Sequence, residues 1–384
     1  MRHRTFGRIE GKPSALGFGA MRLPTLDGDP GRIDEDQAAE MIRYALDHGV
    51  NYVDTAYGYH KGESERFLGR VLQGPCRDKA KLATKLPCWL VNERGDFDRL
   101  FDEQRERLRR EHVDFYLLHA LNGRTWPQVR NLGVLEWAER AKADGCIGYF
   151  GFSFHDEYPV FQEIVDAYPG WDFCQIQYNY MDAEFQAGQR GLRCAAGRGL
   201  GVVIMEPLRG GVLARPPEPV AQLFARSARG WSPAEWALHW LWSQPEVSLV
   251  LSGMSTLDQV RENVSTASTS GLETLAPDDL AVVEQARVAY LKLRPVPCTG
   301  CGYCLPCPNG VAIPQILELA NQVAMYADAA APRFRYRTLT ESERGDRCTV
   351  CRACEERCPQ HISVADWITK AHALLISTDK PWSG

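Results

Sequence analysis

The chain has 384 residues, 45% hydrophobic and 24% charged, a globular balance that excludes wholesale disorder and leaves ample material for a core. A formal net charge of −5 without a basic block argues against nucleic acid as a main partner. No run of 18 apolar residues occurs and the charged start Met1-Arg2-His3-Arg4 lacks a secretory signal's apolar segment, so no membrane partner and a cytoplasmic location are expected.

The stretch Arg4–Ser14, with polar turns at Gly7 and Gly11-Lys12-Pro13, reads as a hairpin ahead of the first strand. Short apolar strands are predicted at Ala15–Ala20, Asn51–Asp54, Lys81–Lys85, Val113–His119, Ile147–Gly151, Phe173–Gln177, Gly201–Met205 and Val247–Leu251. Helical periodicity separates them at Asp36–His48, Glu63–Leu72, Asp98–Glu111, Trp126–Asp144, Tyr158–Ala167, Asp182–Gly197 and Pro233–Ser243, and Thr256–Ala267 follows the last strand. Strands alternating with helices imply a parallel sheet, and eight such units in roughly 275 residues fit an α/β (β/α)8 TIM barrel whose floor the hairpin closes. The alternative is a doubly wound open sheet. That fold calls for Gly-x-Gly-x-x-Gly after the first strand, and Gly17-Phe18-Gly19-Ala20-Met21-Arg22 lacks the third glycine.

After Leu293 the texture changes. Arg294-Pro295-Val296-Pro297 cannot continue a helix, so a barrel is expected over residues 1–293 and a second domain over 294–384. The second domain carries short helical patterns at Ile313–Ala327 and Val364–Leu375, with a solvated, mixed-charge connector at Pro332–Arg347.

Of 13 cysteines, Cys76, Cys88, Cys146, Cys174 and Cys194 are scattered singly, as in a reducing cytosol. The other eight form two runs, Cys298-Thr-Gly-Cys301-Gly-Tyr-Cys304-Leu-Pro-Cys307-Pro308 and Cys348-Thr-Val-Cys351-Arg-Ala-Cys354-Glu-Glu-Arg-Cys358-Pro359. The second has the C-x2-C-x2-C-x3-C-P spacing of bacterial ferredoxins, in which the fourth cysteine ligates the other cluster. A small α-helical ferredoxin-like iron–sulfur domain is therefore expected. Cys298, Cys301, Cys304 and Cys358 are assigned to one [4Fe–4S] cluster, and Cys348, Cys351, Cys354 and Cys307 to the other. The first run departs from the pattern, with two residues rather than three before its last cysteine. Two structural zinc sites are the alternative.

Within the barrel, Val53-Asp54-Thr55-Ala56-Tyr57-Gly58-Tyr59, Thr84-Lys85-Leu86 and Tyr116-Leu117-Leu118-His119 resemble the catalytic segments of the aldo-keto reductases over roughly residues 4–290, and the appended cysteine module resembles the iron–sulfur branch of that superfamily. The resemblance implies a catalytic tetrad of Asp54, Tyr59, Lys85 and His119 at the C-terminal ends of strands two to four, where barrel enzymes keep their catalytic residues. Reduction of a carbonyl adds a proton to oxygen, so an acid must stand within ~3 Å of it. Tyr59 is the expected acid, with Tyr57 as competitor. Lys85 is expected to lower its pKa, Asp54 to hold Lys85, and His119 to orient the carbonyl.

The resemblance also implies NADP or NAD at the barrel top. It places Gly19 and Met21 at the end of the first strand, Ser153 of Gly151-Phe152-Ser153 and Gln175 on the carboxamide, and Met205-Glu206-Pro207-Leu208 along the cofactor. Gly253, Ser255, Gln259 and Asn263 fall at the adenosine end, where the family often has Lys and Arg in place of Gly253 and Gln259; Arg209 and Arg261 are candidate substitutes. Tyr57, Trp89, His155 and Tyr180 suggest a partly aromatic lining. The expected substrate is a small carbonyl or alcohol. Three readings of the two halves stay open: clusters that exchange electrons with a ferredoxin-like partner, a flavin or substrate radical bridging to the nicotinamide; structural or redox-sensing clusters beside an ordinary reductase; and a nicotinamide-binding sensor without turnover.

Overall fold

The computed structural model describes residues 1–377. Eight parallel strands close a barrel in sequence order, as the alternation predicts: β1 Leu16–Gly19, β2 Tyr52–Asp54, β3 Lys81–Leu86, β4 Val113–Leu121, β5 Ile147–Phe154, β6 Phe173–Gln177, β7 Gly201–Met205 and β8 Leu249–Gly253. β1 pairs with β2 through Gly19 opposite Asp54 and with β8 through Gly19 opposite Gly253, which completes the ring. Most strand residues are buried, as expected of a sheet covered by helices.

The barrel interior is filled by its own apolar layer, Tyr52, Ala83, Phe115, Leu117, Phe173, Val203 and Leu249 among it. Phe6 plugs this layer from below. It lies in the predicted N-terminal hairpin, whose strands meet at His3 opposite Ser14 and Phe6 opposite Ile9. Its ring packs on Phe115 at 5.6 Å and Phe173 at 5.8 Å. Gly201 has to be glycine there, since a Cβ would stand 2.3 Å from the Phe6 ring.

Three predicted elements are redrawn. Trp126–Asp144 is two helices, Thr125–Asn131 and Val134–Ala143, because Gly133 takes φ +83° and breaks the ladder. The predicted helix Asp182–Gly197 starts only at Gly188, since the Asp182 side chain is held in a loop by Gln177, Asn179 and Arg209. The last strand lies two residues later than Val247–Leu251, its end set by pairing with β1. Among the described residues, the helices Pro75–Lys79, Glu218–Ala225, Pro277–Lys292 and Ala353–Glu356 escaped the periodicity pattern.

Two compact units divide the chain: Met1–Gly210 with Ala234–Leu280, and Gly211–Pro233 with the segment from Ala281 onward. The core of the second unit gathers Val296, Val311, Ile316, Leu317, Ile368 and Leu375. Its main helices, Ile313–Tyr326 and Val364–Ile376, match the predicted patterns. The expected solvated connector at Pro332–Arg347 is instead partly a helix, Ala330–Arg337, with Pro332 and Tyr336 buried. The Tyr336 hydroxyl accepts from the Gly345 amide at 2.8 Å, and this internal bond, invisible in the charge pattern, folds the segment back. No described helix is long and apolar enough to cross a membrane.

Replacing Phe6 by alanine empties the barrel floor and is expected to cost about 3–5 kcal/mol. The urea midpoint of Phe6→Ala against the parent measures it, and an unchanged midpoint would refute the plug.

Candidate active site and cluster cavities

The C-terminal ends of β2, β3 and β4 bring Asp54, Lys85 and His119 together with Tyr59, which follows β2 on a short 3-10 turn. Lys85 and Asp54 are each 1% exposed. The Lys85 ammonium donates to Asp54 Oδ1 at 2.6 Å and to the Thr55 carbonyl at 2.7 Å, and its third neighbour is the Tyr59 hydroxyl at 3.4 Å. The His119 ring lies edge-on to Tyr59, centroids 6.0 Å apart. The competing phenol points elsewhere: Tyr57 donates to Glu103 at 3.1 Å. It therefore does not line the site as expected; Tyr180 is buried, its ring 6.4 Å from that of Trp240. Trp89 does stand at the mouth, about half exposed, its ring 5.0 Å from His119.

Burial works against the Lys85 charge, but Asp54 and Tyr59 outweigh it and hold the ammonium above its ordinary range. Burial likewise raises the Asp54 carboxyl, opposed by Lys85. The expectation for Tyr59 changes sign. Burial raises its phenol, the Lys85 charge offsets only part of that, and the net direction is upward. His119 is pushed well below the usual imidazole value by burial, then by Lys85 and His155, and so is neutral at pH 7.

Around the mouth, several polar atoms lack a protein partner although they are buried: Gln175 Oε1, His119 Nδ1 and Asp54 Oδ2. Gln175, 2% exposed at the middle of β6, has its amide oxygen free for an amide donor. Ser153 at β5 accepts from the Ala120 amide at 2.7 Å and keeps its own hydroxyl proton to donate. Met205 and Glu206 end β7 half-buried, Glu206 in a left-handed conformation with φ +56°, followed by buried Pro207 and half-buried Leu208. Met21 is exposed, as are Gly253, Ser255 and Gln259. Gln259 Oε1 accepts from the Ser255 amide at 2.8 Å, and buried Asn263 donates to Ser252 Oγ at 3.0 Å.

The two candidate phosphate cations of the sequence each have an acidic partner. Arg209 Nε faces both oxygens of Asp182, at 3.1 and 3.0 Å, and Arg261 pairs with Asp258. The cation at the mouth is Arg22, which the sequence reading passed over. Its side chain runs across Gly253, where a Cβ would meet it at 3.3 Å, toward Glu206 at 3.6 Å. The glycine on β8 is the signal that a side chain from elsewhere occupies that space.

In the second unit, the eight clustered cysteines line two cavities. One is walled by Cys298, Cys301, Cys304 and Cys358, the other by Cys307, Cys348, Cys351 and Cys354. Ile313 lines both. Four thiols wall each cavity, the donor set that a cube of iron and sulfide takes.

A family model described as the aldo/keto reductase family matches residues 15–281, and one described as a 4Fe-4S dicluster domain matches residues 297–362. L-galactose dehydrogenase of Arabidopsis thaliana is 27% identical, the match covering 73% of this chain and 92% of that protein. The NADH-specific methylglyoxal reductase of Escherichia coli is 25% identical over 66% of this chain and 89% of its own. Among solved structures, the holo form of aldo-keto reductase AKR11C1 from Bacillus halodurans superposes with a TM-score of 0.62 at 24% identity, over 74% of this chain and 96% of that one. An aldo-keto reductase from Klebsiella pneumoniae in complex with NADPH gives 0.60 at 22%, over 74% and 95%. At these identities the two structures speak for the fold.

The site yields a stability test. Asp54→Asn strands a buried ammonium and is expected to destabilise the protein by about 3–5 kcal/mol, read as a lower urea midpoint; a midpoint equal to the parent's would mean that the pair is not buried as described.

Proposed function

The chain belongs to the aldo/keto reductase family and carries a 4Fe-4S dicluster domain, and we propose that its barrel interconverts a small carbonyl compound and the corresponding alcohol with NAD(P)(H), using Asp54, Tyr59, Lys85 and His119. The observation that carries this reading is the Tyr59 hydroxyl lying 3.4 Å from an ammonium that is itself held by Asp54. A bound nicotinamide would supply or accept the hydride.

In the reducing direction Tyr59 donates its proton to the carbonyl oxygen. Lys85 stabilises the phenolate left behind, each pKa unit being about 1.4 kcal/mol. Neutral His119 hydrogen-bonds the same oxygen and fixes its orientation. Gln175 Oε1 and the Ser153 hydroxyl are the groups fitted to hold a carboxamide, and Arg22 the cation fitted to phosphate oxygens. The absence of Lys or Arg at Gly253 and Gln259 removes the usual charge contacts for a 2′-phosphate, so NAD and NADP both stay within the proposal; the relatives are divided in the same way, one being NADH-specific and one crystallised with NADPH.

The two cysteine-lined cavities hold the clusters in this reading, with the crossed pairing of runs as their ligands. Exposed Cys301 and Cys351 bring each cluster to the surface, which favours exchange with a ferredoxin-like partner over a structural role.

Tyr59→Phe is expected to lower carbonyl reduction by about 10²–10⁴-fold while nicotinamide fluorescence still reports normal dinucleotide binding. Unchanged turnover would discard the mechanism. Protein purified without oxygen is expected to contain about eight irons per chain, and elemental analysis finding zinc instead would reject the cluster assignment.

A further inference from the structure

Tyr59 opens a strained turn. The next two residues, His60 and Lys61, both adopt left-handed backbone, φ +53° and +56°, a conformation that side-chain-bearing residues keep only when their surroundings impose it. On one side His60 is clamped: its Nε2 accepts from the Leu23 amide at 3.2 Å and its Nδ1 lies 2.8 Å from the Pro30 carbonyl. On the other side stands Arg107, in the last turn of the helix Asp96–Leu108 and only 9% exposed.

Arg107 reaches the turn by three routes. One guanidinium nitrogen donates to the Tyr57 carbonyl at 3.3 Å and to Glu65 at 3.2 Å. The guanidinium lies over the Tyr57 ring at 4.1 Å. It also pairs with Glu103, which accepts the Tyr57 hydroxyl. Glu65 is fully buried and accepts from Thr84 Oγ1 at 2.6 Å and from Gln104 Nε2 at 2.7 Å, and the same Gln104 amide donates to the Lys85 carbonyl at 3.0 Å. A continuous set of charge-assisted hydrogen bonds thus joins the backbone two residues before Tyr59 to the strand that carries Lys85.

Resting on the reading of Tyr59 as the acid, we propose that Arg107 is a positioning residue: with Glu65 it braces the strained turn so that the Tyr59 hydroxyl is presented to Lys85. The 3.4 Å between those groups already exceeds an ordinary hydrogen bond. A further few tenths of an ångström ends the contact, whereas the nucleotide-facing residues Ser153 and Gln175 stand on other strands.

The brace therefore affects turnover and spares binding. In Arg107→Met holoprotein, kcat for carbonyl reduction is expected to fall about 10- to 100-fold, while KM and the dinucleotide Kd, read by nicotinamide fluorescence, stay within about twofold. Wild-type kcat, or a kcat loss matched by equal losses in KM and Kd, overturns the proposal. Should Arg107→Met not fold, Tyr57→Phe and Glu103→Gln carry the same test with a few-fold kcat loss, since both side chains reach solvent. Tyr59→Phe runs beside them. If it is inactive and the brace variants are not impaired, only the positioning role falls; if it is active, the acid assignment falls as well.

Discussion

An ammonium group sits inside this barrel at 1% exposure, and the arrangement at the site follows from the need to keep it charged. A buried cation is tolerated only with an opposite charge and its remaining donors satisfied. Asp54 supplies the charge, the Thr55 carbonyl takes the second donor, and the Tyr59 phenol is what remains for the third. The demands of burial and of chemistry thus converge. The groups that make Lys85 acceptable to the fold are also the ones that aim it at a phenol. Removing Asp54 leaves an unpaired buried charge rather than a slightly weaker site.

The barrel was legible in the sequence because its signal is local: eight apolar runs, each followed by an amphipathic stretch, leave few other closed arrangements. Asp54, Lys85 and His119 were legible through the resemblance of their segments to the aldo-keto reductases, and that family's spacing after the aspartate pointed to Tyr59. What the sequence did not carry was direction and pairing. Tyr57 and Tyr59 differ by two residues, and only the fold shows one phenol turned to Glu103 and the other to Lys85. Arg209 and Arg22 have the same charge, yet Asp182 holds the first, while Gly253 clears a path for the second. Helix ends set by a left-handed glycine, as at Gly133, and a loop set by one carboxylate, as at Asp182, are likewise decided by partners distant in sequence.

In the proposed function the two units use different electron counts. A nicotinamide exchanges two electrons as hydride, a [4Fe–4S] cluster one at a time. The barrel site contains what a hydride reaction needs, a proton donor and an oxygen-orienting group. The cysteine cavities are lined by thiols, apolar residues and a few uncharged polar side chains, with Arg352 alone bringing a charge, to the second cavity. Neither site supplies the other's chemistry, so within the proposed function each is complete as a separate redox unit.

The direction of the Tyr59 shift bears on how the barrel half works. A phenol lowered toward neutrality would divide its time between acid and base. Here burial outweighs Lys85, so the hydroxyl stays protonated throughout the neutral range. His119, pushed the opposite way, stays neutral beside it. The resting site therefore holds one loaded proton donor and one uncharged hydrogen-bonding ring, the state that carbonyl reduction requires. Lys85 only partly offsets burial in the resting phenol, and in the proposed mechanism its stabilisation is felt when the proton leaves and a phenolate forms next to a fixed positive charge. That is stronger binding of the transition state than of the ground state, which is the condition for an interaction to raise kcat.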